Sequence, residues 1–118
     1  MSDKNGPIDF QIIRDMLYND DAYVKEFCDA SVISFSEFKS NFRKNLMEED
    51  LDTLRRTGHK IKPVAKMLKL DPLLSIYEKS KLLLMESDNP GEKKKQYVKE
   101  MDDYCEEILD QLHQRVDK

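Results

Sequence analysis

The sequence predicts an all-α protein, an antiparallel four-helix bundle with a short N-terminal capping helix. Three observations carry that expectation. Apolar residues recur at three- and four-residue spacing along most of the chain, the pattern of helices with one buried face. Glycine and proline are scarce, with 3 and 4 residues, and fall mainly at the ends of those periodic stretches. No alternating run of the strand type interrupts them, and no segment repeats. A chain of 118 residues suits one domain, which buries about two-thirds of its unfolded surface.

Residues 1–7 read as a disordered, polar lead-in, and 8–116 as the helical domain. Ile8 to Tyr18 forms a short amphipathic segment with Ile8, Ile12, Ile13, Met16 and Leu17 on one side. Asn19-Asp20-Asp21 breaks it and offers side-chain oxygens to cap a second helix reaching about Met47. Val24, Phe27, Cys28, Phe35, Phe38, Phe42 and Leu46 are its buried stripe. The third helix begins after Glu48-Glu49-Asp50, where negative charge complements the helix dipole. Leu51, Leu54, Gly58, Ile61, Ala65 and Leu68 form its seam. Asp71-Pro72 reads as an N-cap followed by proline at the first helical position, opening a fourth helix that runs to Glu86. After the SDNPG turn, a last helix from Glu92 to Val116 carries Tyr97, Met101, Tyr104, Ile108 and Leu112 as its seam. Val98, Cys105 and Leu109 flank that seam.

Charged residues make up 37% of the chain and hydrophobic ones 39%, and the formal net charge is −4. That acidity argues against general nucleic-acid binding, which needs a basic domain. A local basic stripe on an acidic body points instead to an acidic protein surface as partner. Two cysteines, Cys28 and Cys105, are too few for a disulfide framework and both occupy apolar helical positions. They read as reduced core residues of a cytoplasmic protein. No apolar run has the length of a membrane span, and no signal peptide precedes the first helix, so direct membrane insertion is not expected.

His59 draws attention because core packing does not ask for it. On a helix it lies roughly 140° from the centre of the third seam. Arg55, Arg56, Lys62 and Lys66 share its outer face. A phosphoryl group on the ring brings up to two negative charges, and each close cation contributes about 1 kcal/mol in bulk water. Pro63 removes the backbone hydrogen bond that residue 63 would donate to the His59 carbonyl, at about 3 kcal/mol on propensity. It also keeps the position four residues on from the ring compact. A metal site in a bundle needs Glu-x-x-His pairs on facing helices. Residue 56 is arginine and only Asp110 precedes a histidine, His113, at that spacing, so neither a metalloenzyme nor a bound metal is expected.

At these residues the chain resembles the histidine-containing phosphotransfer (HPt) domains of multistep two-component phosphorelays. The family motif is a helical His-x-Leu-Lys-Gly after a Leu-Arg-Arg-like turn. Here it reads Leu54-Arg55-Arg56-Thr57-Gly58-His59-Lys60-Ile61-Lys62-Pro63, followed by Ala65 and Leu68. The opening IDFQIIRDMLYNDDAYVKEF resembles the family's first helix, acidic turn and second helix. Pro63 departs from the pattern, which has glycine there.

The resemblance spans residues 8 to 115 and implies a phosphocarrier rather than an enzyme. His59 is then the phosphoacceptor, by a ring nitrogen expected to be Nε2, and Lys62 stabilises the phosphoryl group. Receiver domains of response regulators or of a hybrid histidine kinase are the implied partners, and they bring the Mg²⁺, so no cofactor of the chain's own is expected. Docking is expected to use Arg55, Arg56, Pro63 and Lys66 together with apolar residues near the first helix, the candidates being Ile12, Ile13, Met16 and Leu17, some of which the bundle itself must use. A monomer is implied. The alternative is a helical interaction module, never phosphorylated, that binds an acidic partner surface through the same basic face.

Overall fold

The computed structural model describes residues 6–116. These fold into five helices, with no strand among the described residues: α1 (Phe10–Met16), α2 (Asp21–Met47), α3 (Leu51–Met67), α4 (Asp71–Glu86) and α5 (Gly91–Val116). Residues 1–5 of the expected lead-in lie outside the described residues. Gly6 and Pro7, also placed in that lead-in by sequence, are half-buried.

Aspartates start the first three helices by accepting hydrogen bonds from otherwise unpaired backbone N–H groups. Asp9 caps α1 through Gln11 N, Asp20 caps α2 through Ala22 N and Tyr23 N, and Asp50 caps α3 through Thr53 N. Thr53 Oγ1 also donates to Asp50 at 2.7 Å. These bonds hold the Asp50 carboxyl below its usual range.

One turn type brackets α3 at both ends. Glu49 and Lys69 each adopt φ 57°, the left-handed conformation that usually belongs to glycine. At the first junction Asp50 N donates to Asn45 O at 2.9 Å and Glu49 N to Leu46 O at 3.0 Å. The second junction repeats this, with Leu70 N on Ala65 O at 2.8 Å and Lys69 N on Lys66 O at 3.1 Å. Such tight joints leave α3 little freedom to slide. Lys94 of α5 secures the first corner, donating to Met47 O at 3.1 Å and pairing with Glu49 at 2.7 Å.

The second joint corrects the expected cap of α4. Leu70, not Asp71, is the N-cap, and no side chain caps the helix; Asp71 already lies inside it. The left-handed Lys69 turns the chain so that the Leu70 side chain is fully buried, which starts α4 one residue early.

The helices pack in a cycle: α2 against α3, α3 against α4, α4 against α5, and α5 back against α2. The core inside contains Phe35, Phe38, Phe42 and Leu46 from α2, Leu54, Ile61 and Ala65 from α3, and Leu73 and Tyr77 from α4. On α5 the buried stripe is Val98, Met101, Cys105, Ile108 and Leu112. Tyr97 and Tyr104, expected in that seam, are only half-buried at its edge. A tyrosine favours a border where its ring packs while its hydroxyl stays near water, and the small Cys105 takes the inner place. Burial pushes the Cys105 thiol up to about 12, so it stays protonated. Both cysteines are buried, and neither forms a disulfide.

The segment before α1 is clamped to α5 by a buried pair of bonds. Ile8 N donates to Gln111 Oε1 at 2.8 Å, and Gln111 Nε2 donates to Ile8 O at 2.6 Å. Ile8, Phe10 and Ile13 are buried as a result. Among the described residues, no helix is long and apolar enough to cross a membrane.

Candidate functional site

The site is built on the outer face of α3. His59 is exposed, as are Arg55, Arg56, Lys60, Pro63 and Lys66; Lys62 is half-buried. The opposite face of the helix holds Leu54, Thr57, Gly58, Ile61 and Ala65 in the interior. Pro63 lies inside a helix that runs unbroken to Met67.

Gly58, immediately before the histidine, is a point of close approach between α3 and α4. A Cβ at this position would overlap the Tyr77 ring, so only glycine lets α4 seat its tyrosine directly on the α3 backbone. Tyr77 is buried, and burial raises the pKa of its hydroxyl. The contact sets the level of the two helices. Glu78, which follows Tyr77 on α4, reaches the α3–α4 border.

That border carries charge of both signs. Lys62 Nζ lies 3.5 Å from Glu78 Oε1, and Lys81 Nζ lies 3.0 Å from Glu78 Oε2. Each ammonium also sits 5.6 Å from the centroid of the Tyr77 ring, within cation–π range. The hydrogen bond from Lys81, assisted by the charge of Lys62, holds the Glu78 carboxyl below its usual range. Lys62 therefore has an anionic partner already. Further along, Arg55 Nη2 approaches Met85 Sδ at 3.7 Å. Met85 exposes 51% of its surface, placing apolar area next to the arginine.

On the α2 side of α3 the fixing contact is polar. Thr57 Oγ1 donates to Asn45 Oδ1 at 2.6 Å, and both residues are buried. Beside this bond a cleft of about 90 Å³ opens between Lys60 and Glu37, room for about three waters. Among the described residues no group of three or more His, Cys, Asp or Glu side chains is placed to hold a metal.

Sequence spacing assigns His59, Arg55, Arg56, Lys62, Pro63 and Lys66 to one helix face, and the structure groups them there. The apolar docking residues fare differently. Ile13 is fully buried with Phe10 beneath α1 and offers no surface; Ile12 is half-buried, and Met16 is 36% exposed. The hydrophobic side of so short a helix is needed to attach it to the protein. Sequence reasoning misses Tyr77, Glu78, Lys81 and Asn45. Their one signal is Gly58 at a seam position, which announces a close approach without saying what approaches.

Compared with protein-family models, curated proteins and solved structures, the chain gives no significant match.

Proposed function

We propose that this protein is a histidine phosphocarrier of the HPt kind, relaying a phosphoryl group through His59 between the aspartates of receiver domains. The observation that carries the reading is the exposed imidazole on a cationic helix face, with Gly58 behind it holding the neighbouring helix in place. The cyclic packing of α2 to α5 is then an antiparallel four-helix bundle with α1 as its cap, working as a cytoplasmic monomer.

In the forward step, the lone pair of a His59 ring nitrogen forms the N–P bond. The P–O bond to the receiver's aspartate breaks, and the carboxylate leaves with that electron pair. The second ring nitrogen keeps its proton. Arg55, Lys62 and Lys66 face the charge that arrives, while the receiver contributes Mg²⁺ and the reactive acyl phosphate. Positioning and electrostatics account for most of phosphoryl-transfer catalysis, so one well-presented nucleophile suffices on this side.

The test is incubation with phosphorylated receiver domains. The expected product is an acid-labile, alkali-stable modification that disappears in His59→Gln. Stable complex formation without any modification would support the alternative, a module that only binds an acidic partner surface.

A further inference from the structure

The Lys62–Glu78–Lys81 cluster lies at the α3–α4 border, beside the helix face that carries His59. A surface ion pair contributes little to stability. Yet this carboxylate reaches across from α4 to within 3.5 Å of Lys62, the lysine one turn beyond the histidine on α3. We infer that Glu78 is a positioning residue for the phosphoryl site, an internal counter-anion that competes with a phosphoryl group on His59 for the Lys62 ammonium. This deepens the phosphocarrier reading and rests on it.

In the resting protein Glu78 and the Tyr77 ring hold Lys62 toward α4. When the phosphoryl group arrives, Lys62 exchanges one anion for the other, and Glu78 keeps Lys81 at 3.0 Å. The exchange weakens the net gain from the lysine, and the Glu78 charge repels the new one. Both effects make phosphohistidine less stable than the cations alone would make it. A carrier must give its phosphoryl group up again, and a built-in competitor keeps that second step accessible. Electrostatics through partly exposed groups amounts to about a two- to five-fold bias.

The experiment needs no partner. Phosphoramidate is the phosphodonor: its P–N bond breaks as the imidazole lone pair forms the new N–P bond, and ammonia leaves with the electron pair. The share of phosphorylated His59 is measured at fixed phosphoramidate and ammonium concentrations, in ~0.01 M and ~1 M salt, where the screening lengths are about 30 Å and 3 Å. Glu78→Gln is expected to raise the ratio of phosphorylated to free protein about two- to five-fold in low salt, with little effect in high salt. Glu78→Asp should restore the parent ratio. In a Lys62→Ala background the Glu78→Gln effect should shrink, because the carboxylate acts through that lysine. A labelled His59 whose ratio is the same in parent and Glu78→Gln overturns the Glu78 role alone, as does an effect that persists undiminished without Lys62. A chain that takes no label at His59 overturns the phosphocarrier reading, and the Glu78 role falls with it.

Discussion

The two faces of α3 follow different rules. On the inner face every residue answers to a neighbour: Gly58 makes room for Tyr77, Thr57 bonds Asn45, and Leu54, Ile61 and Ala65 fill the core. On the outer face His59, Arg56, Lys60 and Lys66 are exposed, on a chain whose formal net charge is −4. Residue choice on the inner face is explained by packing; on the outer face packing leaves it open, and the proposed phosphocarrier chemistry would draw its residues from there. A substitution inside should therefore cost stability, and one outside should cost activity.

The sharpest way to separate the faces is His59→Gln. Transfer to the chain should vanish while the helical circular dichroism and melting temperature remain those of the parent. Gly58→Ala, one residue away, should do the reverse. Its methyl group collides with a buried ring, and overpacking of this kind costs about 1–3 kcal/mol, against about 1 kcal/mol gained in helix propensity. Urea unfolding should show the net loss, and pairing the variant with Tyr77→Leu should recover part of it.

Thr57→Val keeps the shape and removes the donor, leaving Asn45 Oδ1 without its side-chain partner. A loss of at least about 1 kcal/mol in the same unfolding assay is expected, with transfer little changed. The smallest effect belongs to Lys62→Ala. One close charge is worth about 1 kcal/mol in water, so transfer should slow several-fold without stopping. An unchanged rate would remove Lys62 from the site.

The helices are largely legible in the sequence, because three-four spacing reports directly which side of a helix is buried. His59 and its cations are legible for the complementary reason: they break that spacing on the wet side. What escapes is whatever depends on a partner distant in sequence. Nothing near Gly58 names Tyr77, and nothing near Asn45 names Thr57, so both contacts, and with them Glu78, appear only once helices are adjacent. The joints escape for a local reason. Glu49 and Lys69 adopt a conformation whose usual sequence marker is glycine, so the sequence places the cap of α4 at Asp71 rather than Leu70. Ile13 is misread as docking surface because amphipathicity shows that a helix has an apolar side without showing whether that side meets the core or a partner.

The most direct measurement is the site of modification after exposure to a phosphorylated receiver domain, read by peptide mapping under alkaline conditions that preserve phosphohistidine. The expected result is a single phosphoryl group on His59 and none in His59→Gln. Phosphate carried on another residue, or taken up equally well by the glutamine variant, would contradict it.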